Sequence, residues 1–319
     1  MTHDLHTLKR IDARTVWQHE ARDFTPWLLE HIDELNRAIG FEIELDGREG
    51  RVGPFAVDLF GTEVQTNHPA IIENQLTDTD HSHLGQLLTY AAGLKAGVIV
   101  WIAPRFRDEH REALTWLNEV SGEAVNFFGV EIEILEINGQ RAPNFKLVAE
   151  PNTWAKTGAA LTWSQAALQS PRMAAYQAFY SDVLALLRER HPDVTSMRKA
   201  QPASWLSMAA GRAAYRFTLA FTQDARFCMQ AEADTTDREK NLEDIESLWQ
   251  NLDPAEWQDL GQLVLDTSET RRAQRITLFA PRSVTIDSDE EELDWLKEWI
   301  VGSTARFVEY FRPRIKALS

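Results

Sequence analysis

Cysteine, long apolar runs and the common nucleotide-binding signatures are scarce or missing in this chain of 319 residues. The single Cys228 excludes an internal disulfide framework and any zinc site built from cysteines. No stretch approaches the roughly 20 apolar residues of a membrane-spanning helix, and the first residues lack a signal-peptide pattern. There is no P-loop, dinucleotide fingerprint or Gly-x-Ser-x-Gly elbow. We therefore expect a cytoplasmic protein with no membrane partner.

Positive charge is also in short supply. The chain has 33 Lys and Arg against 49 Asp and Glu, for a formal net charge of −16. Residues 1–150 hold 13 basic and 25 acidic residues, and residues 151–319 hold 20 and 24. Because nucleic-acid backbones are bound through basic groups, any DNA affinity should be weak or depend on a partner. Two arginine groups could still contact phosphates: Arg105, Arg107 and Arg111, and Arg271, Arg272 and Arg275.

Hydrophobic periodicity and turn residues predict an α/β domain in the first half of the chain. A helix is expected to begin with Thr25 as its cap and Pro26 at its first position. The elements follow the order αβββαβ, which predicts a mixed sheet with a parallel β-helix-β crossover. The predicted helices are 25–40, 84–94 (ending at a glycine) and 108–120, and the strands are 41–45, 55–60, 70–76 and 98–103, with more in 125–137 and 145–148.

Turn residues from Pro151 to Gly158 predict a linker, which divides the chain into domains 1–153 and 154–319. The second domain is predicted to be α+β, with an antiparallel strand pair over 214–222 and 226–233. No catalytic pattern is evident in it, so docking to a protein partner and homodimerisation are both open. Its other predicted elements are helices 172–190, 236–252 and 291–311 and a strand over 275–279.

Two acids and three other polar residues stand out in the first domain. Side chains alternate along a strand, so Glu73 and Gln75 should share one face, and Asp58 can join them from the neighbouring strand. Converging carboxylates are hard oxygen ligands suited to Mg²⁺ or Mn²⁺, which can activate water at a phosphoryl group. On the following helix, Gln86 and Tyr90 add polar groups to an otherwise apolar face.

This order resembles the PD-(D/E)xK nuclease superfamily, in which an acid ends one strand, an acid-x-lysine lies on the next and a helix packs behind. The Gln-x-x-x-Tyr spacing is similar to that of the RecB-like subgroup. Segments Phe24–Leu28, Ile72–Leu76, Thr79–Tyr90 and Trp116–Glu119 resemble a bacterial family with a nuclease-like first half and a C-terminal domain of unknown function. The resemblance implies a restriction-endonuclease-like fold and cleavage of nucleic acid, DNA above RNA, in genome maintenance or defence.

One position departs from that pattern, because Gln75 stands where the superfamily has lysine. A lysine would place a positive charge beside the scissile phosphate, whereas glutamine offers only neutral amide donors. His81 or His83 could supply proton chemistry instead, since imidazole titrates near neutral pH. Glu49 and Glu30 are candidates for a further metal ligand, because related folds use a Glu of the first helix.

Other interpretations of these residues are open. The same residues could form an ordinary exposed sheet face and helix surface, or the nuclease fold could persist as a non-catalytic interaction module. The segment Thr77–His83 could form a transition-metal site, or Asp80 could simply cap the helix with the histidines in its first turn. The side-chain geometry around Asp58 and Glu73 distinguishes these possibilities.

Overall fold

The computed structural model describes residues 6–48, 51–52, 55–121, 125–151, 170–269 and 271–318. The chain divides into two units. The first is Met1–Ile39 with Leu45–Thr162, and the second is Gly40–Glu44 with Trp163–Ser319. The predicted linker from Asn152 to Gly158 lies outside the described residues, and the boundary at 153/154 stays a prediction. No helix in the described part of the chain has the length and apolar character to cross a membrane.

The first unit combines helices with a seven-stranded mixed sheet and a separate two-stranded sheet. Its strands are β1 (Lys9–Ile11), β2 (Ile43–Arg48), β3 (Arg51–Val52), β4 (Phe55–Ala56), β5 (Leu59–Glu63), β6 (Pro69–Asn74), β7 (Val98–Ala103), β8 (Asn126–Ile137) and β9 (Gln140–Ala149). Its helices are a 3-10 turn (Ala13–Thr15), a π-helical turn (Glu20–Phe24), α1 (Thr25–Glu30), α2 (Ile32–Ile39), α3 (His81–Leu94) and α4 (Asp108–Ser121).

The seven-stranded sheet of this unit runs in the order β1-β8-β7-β6-β5-β2, with β9 on the other edge of β8. Strands β6, β7 and β8 are parallel and are connected through α3 and α4, whereas β5, β1 and β9 pair antiparallel. The expected mixed α/β architecture is thereby confirmed. Strand β7 is buried along its whole length because parallel neighbours flank both of its edges.

One face of the sheet packs against α3 and α4. Ile71, Ile99 and Trp101 form its apolar core with Leu87 of α3 and Leu114 of α4. All five side chains are at most 1% exposed. Burying a side chain of this size typically stabilises a fold by about 1.5–3 kcal/mol. Glu73 pairs in register with Trp101, and register partners in a sheet share a face, so Glu73 projects into this apolar layer.

Three predicted elements differ from those observed. The strand expected over 55–60 stops at Ala56, and Asp58 lies in a bend before β5. The carboxylate of Asp58 accepts the backbone N–H of Asn74 at 2.9 Å, which ties the bend to β6. The strand expected over 41–45 is observed at Ile43–Arg48, and α3 ends on Lys95 in a left-handed conformation rather than on glycine.

The first predicted helix is also divided. Thr25 is its first helical residue rather than its cap, and its hydroxyl bonds to the Asn74 side chain. A π-helical turn precedes it, and the helix breaks at His31. The ring nitrogen Nδ1 of His31 lies 2.8 Å from the carbonyl oxygen of Trp27. That side-chain contact competes with the backbone for the carbonyl and accompanies the break.

The second unit is α+β, as the sequence predicts. Its strands are β10 (Trp205–Ala209), β11 (Tyr215–Phe221), β12 (Phe227–Ala233), β13 (Gln262–Asp266) and β14 (Gln274–Phe279), and its helices are α5 (Pro171–Arg190), α6 (Arg238–Gln250), a 3-10 turn (Pro254–Trp257) and α7 (Glu290–Lys316). The sheet order β10-β11-β12-β14-β13 is antiparallel throughout. Alternate residues of β11 enter a core with the helices, where Phe217 meets Phe307 edge to face.

Residues 40–44 belong to the second unit through two buried carboxylates. Glu42 accepts hydrogen bonds from the Thr195 hydroxyl (2.6 Å), the Ser196 N–H (2.9 Å) and the Ala209 N–H (2.6 Å). Glu44 accepts the Gly211 N–H at 2.8 Å. Burial raises the pKa of both groups, that of Glu44 to about 8. This short segment therefore completes the polar interior of the second unit.

Candidate active site

Asp58 and Glu73 lie side by side where β5 and β6 meet. Glu73 is on β6 and only 4% exposed, while Asp58 is partly buried in the bend before β5. Besides the bond from Asn74 to Asp58, the backbone N–H of Asp58 donates to the Glu73 carboxylate. The two acids are thus held together by hydrogen bonds between the bend and β6.

The pair is electrostatically strained. Burial and, to a smaller extent, the negative charge of Asp58 raise the pKa of Glu73 to about 8, against the opposing hydrogen bond from the Asp58 N–H. Burial likewise raises the pKa of Asp58 to about 6, with Glu20 adding to the shift and His83 opposing it. Among the described residues, the buried Oε1 of Glu73 has no hydrogen-bond partner. A buried carboxylate oxygen without a donor is costly, and a cation would relieve both effects.

Tyr90 of α3 faces this pair. The phenol is 4% exposed and lies in the same apolar cluster as Ile71. Burial raises its pKa, and the charges of Glu73 and Asp58 raise it further. Gln86, one turn earlier on α3, is exposed. Of the two polar residues predicted on this helix, Tyr90 is therefore the one buried beside the acids.

Gln75 is fully buried, and both the nitrogen and the oxygen of its side-chain amide form hydrogen bonds. Its Nε2 donates to the Thr77 hydroxyl (3.1 Å), the Asp78 carbonyl (2.8 Å) and the Asp80 carboxylate (3.2 Å). Its Oε1 accepts the indole N–H of Trp101 at 2.9 Å. An amide nitrogen carries only two hydrogens, so these acceptors use its whole donor capacity. Gln75 thereby fixes the loop that follows β6.

Asp80 connects that loop to α3. Its carboxylate caps the helix by accepting the backbone N–H of His83 (2.9 Å) and also contacts the His83 ring at Nδ1 (2.8 Å). Burial acts to raise the pKa of Asp80, but the hydrogen bonds from His83 outweigh it and the net shift is downward. Asp80 is therefore held ionised next to the imidazole.

His81 belongs to a different hydrogen-bonded chain. Its Nδ1 lies 2.7 Å from Nε2 of His110, whose Nδ1 lies 2.8 Å from the Thr79 hydroxyl. Thr79 in turn accepts the backbone N–H of Arg107. Burial lowers the pKa of His110, and the neighbouring His81 and Arg107 lower it further. His81 is thus tied to a buried imidazole that favours the neutral form.

Glu20 is a third acid near the pair, and the sequence patterns did not single it out. It lies in the π-helical turn, accepts the backbone N–H of Leu76 (2.6 Å) and acts electrostatically on Asp58. The only sequence signal was its position just ahead of the predicted helix cap. Glu30, the candidate from that helix, is exposed at the end of α1, and Glu49 lies outside the described residues.

The side chains available as ligands limit which metal ion the site could hold. Within the described ranges, no group of three or more His, Cys, Asp or Glu side chains is placed to hold a metal ion. A structural zinc site needs four protein ligands, whereas Mg²⁺ is commonly held by one or two carboxylates and keeps several waters. The Asp58 and Glu73 pair, with the unpartnered oxygen of Glu73, fits the second kind of ion.

The arginines proposed as phosphate contacts are mostly paired with acids. Arg271 lies 2.9 Å from Asp266, and Arg272 forms a bidentate pair with Asp234 at 2.7 and 2.9 Å. Such pairing leaves little net positive charge at these positions. Three other arginines from these two groups also pair with acids: Arg105 with Asp78, Arg111 with Asp108 and Arg275 with Glu232.

No protein-family model matches the chain. No curated protein matches it either. Among solved structures, a repair endonuclease from Pyrococcus abyssi aligns with 28% of this chain and 40% of its own length, at 19% identity and a TM-score of 0.25. A likeness at that TM-score does not establish a shared fold, so the interpretation of the site rests on its own residues.

Proposed function

We propose that the first unit is a divalent-metal-dependent nuclease that cleaves phosphodiester bonds of nucleic acid, with DNA as the preferred substrate. The observation that carries the proposal is the Asp58 and Glu73 pair. Two carboxylates are buried together, and one buried oxygen of Glu73 has no partner among the described residues. Keeping two acids in this arrangement destabilises a fold unless a ligand compensates, and strongly perturbed acids are a mark of functional sites.

Asp58 and Glu73 would hold the ion, Mg²⁺ or Mn²⁺. When bound, such an ion neutralises charge on a phosphoryl group and lowers the pKa of its water. The protein supplies the position of the pair through the bonds between the bend and β6, and Tyr90 limits water on the α3 side because its ring is buried there. Glu20 holds the backbone at Leu76 and so fixes the end of β6.

The restriction-endonuclease-like identity of the sheet, the bacterial role in genome maintenance or defence and the cytoplasmic location come from the sequence resemblance and composition, and they remain part of this proposal. The second unit is proposed to recruit a protein partner or a second copy of the chain. A recruiting role agrees with the net charge of −16 and with the paired arginines, since both disfavour tight binding to DNA by the chain alone.

A catalytically inactive interaction module is the second candidate. Gln75 favours it, because the residue at the expected lysine position is committed to structural hydrogen bonds with the loop and Trp101. On this alternative Asp58 and Glu73 have no catalytic role, and the cellular function of the protein would survive their replacement.

The test is cleavage of labelled single-stranded, duplex and branched DNA and RNA with Mg²⁺, Mn²⁺ or EDTA. We expect metal-dependent cleavage by the wild type and its loss in Asp58→Asn and Glu73→Gln. Glu119→Gln, an exposed acid on α4, is the matched control and should cleave normally. Calorimetric titration with Mn²⁺ should show binding that both site variants lose. A wild type that neither binds Mn²⁺ nor cleaves any substrate would leave only the interaction module.

A further inference from the structure

A hydrogen-bonded chain runs from the centre of the sheet to α3. The indole of Trp101 donates to Gln75, Gln75 donates to Asp80 (3.2 Å), and Asp80 contacts the ring of His83 (2.8 Å). Each link has a fixed direction, because the indole nitrogen can only donate and the ionised carboxylate can only accept. The chain therefore ends in an imidazole whose orientation is set from the buried side.

The direction of these bonds determines the tautomer of His83. An ionised Asp80 can only accept a hydrogen bond, so Nδ1 of His83 must carry the proton that it donates. Nε2 of the neutral ring then has a lone pair. Among the residues that the structure describes, Nε2 of His83 has no hydrogen-bond partner, and the side chain is 26% exposed. The ring thus offers an accessible basic nitrogen.

His83 is also on the correct side of α3. It precedes Tyr90 by seven residues, so both lie on one face of the helix two turns apart. Tyr90 packs in the same cluster as Ile71 and Val57, which lie two residues before Glu73 and one residue before Asp58, and His83 acts electrostatically on Asp58. Gln75, which anchors the chain, lies just beyond β6 and accepts the indole N–H of Trp101, the register partner of Glu73.

We propose that Asp80 and His83 form the proton-transfer dyad of this site, with Gln75 as a positioning residue in place of the expected lysine. The inference rests on the proposed nuclease function. Nε2 of His83 takes a proton from the attacking water while the water oxygen forms a bond to phosphorus. The bond from phosphorus to the leaving oxygen breaks, and its electron pair stays on that oxygen, which takes a proton from solvent. His83 then releases its proton to solvent, so one water is consumed for each bond cleaved.

His81, the other histidine considered, is excluded from this role by its contacts. Its Nδ1 is directed at His110, and that chain ends at Thr79 and the backbone of Arg107 rather than at an ionised group. No carboxylate therefore fixes its tautomer. The competing explanation for His83 is structural: it occupies the third position of α3, where a side chain can reinforce the Asp80 cap.

Chemical rescue separates the two explanations. We expect His83→Ala to cleave about 10²- to 10⁴-fold more slowly than wild type and to bind Mn²⁺ with unchanged affinity. Added imidazole should restore part of the rate, because the vacated site is accessible. His31→Ala, which removes an exposed histidine of the same unit, is the control and should cleave at the wild-type rate with or without imidazole. A loss that imidazole does not repair would show a capping role and overturn the proposal.

Imidazole ¹⁵N NMR gives a readout that does not depend on cleavage. Wild-type His83 should show the tautomer with the proton on Nδ1, and Asp80→Asn, which retains a cap-forming side chain, should lose that preference. A His83 with its neutral proton on Nε2 would overturn the dyad. Failure of the proposed function appears differently, as a wild type that cleaves nothing, whereas failure of the dyad appears as His83→Ala cleaving like wild type.

Discussion

Glu73 should make the stability of the metal-free protein depend on pH in a distinctive way. A carboxyl group whose pKa is higher in the folded than in the unfolded chain favours folding only while it is protonated. The free energy of unfolding therefore falls as the pH rises from 4.5, the ordinary pKa, to the folded value of about 8. At about 1.4 kcal/mol per pKa unit, the full loss is about 5 kcal/mol.

Between pH 6 and 8 the effect of Glu73 is best measured as the difference between the wild type and Glu73→Gln, because Glu44, with a pKa of about 8, titrates in the same range. Asp58, with a pKa of about 6, has completed much of its own titration there, and Glu73 alone accounts for a further loss of about 2 kcal/mol. In EDTA, urea unfolding followed by tryptophan fluorescence should show that loss in the wild type. Glu73→Gln, which cannot ionise at this position, should lose about 2 kcal/mol less than the wild type over this range, and Glu119→Gln should behave like the wild type.

Added Mg²⁺ should reverse the loss at pH 8, because a ligand that binds only the folded state stabilises it by mass action. The stabilisation should be absent from Glu73→Gln. If the unfolding free energy of Glu73→Gln fell as steeply as that of the wild type between pH 6 and 8, the account of a buried, electrostatically strained pair would be refuted.

Three further changes test the polar interior. Gln75→Leu should cost several kcal/mol in urea unfolding, since unpaired buried groups cost about 1–3 kcal/mol each, whereas exposed Gln86→Leu should change stability by less than about 0.5 kcal/mol. Glu42→Ala, which unpairs four donors in the second unit, should speed proteolysis of that unit, and exposed Glu246→Ala should not. Burial lowers the pKa of His110, so its contribution to stability is lost as the pH falls below 6.5, and His110→Asn should remove that acid sensitivity.

Elements with strong local signals were predictable from the sequence. The run Val98–Ala103 is apolar throughout and bounded by turn residues, and it is strand β7 to the residue. The hairpin of β11 and β12 likewise follows from its period-two pattern and short turn. Short strands β1, β10 and β13 were missed, because a few residues of weak alternation are stabilised by their neighbours in the sheet rather than by local propensity.

The site was predictable only in part. The acids and Tyr90 stand out by type and spacing. Strand alternation predicts that Glu73 and Gln75 share a face, and that stays a prediction because β6 ends at Asn74. The contribution of Glu20 depends on a π-helical turn that has no sequence signature, and the contact of His81 with His110 spans 29 residues. Such contacts arise from tertiary packing, which periodicity along the chain does not encode.

The assignment of residues 40–44 to the second unit has a consequence for synthesis. Glu42 is bonded to a hydroxyl 153 residues further along the chain, and to a backbone N–H 167 residues further along. At the usual 5–20 residues per second, about 8–30 s pass before its first partner is made. During that interval the helices that precede it can form, but the carboxylates of Glu42 and Glu44 remain in water. The segment that carries Glu42 and Glu44 therefore lacks its hydrogen-bond partners until nearly two thirds of the chain has been synthesised.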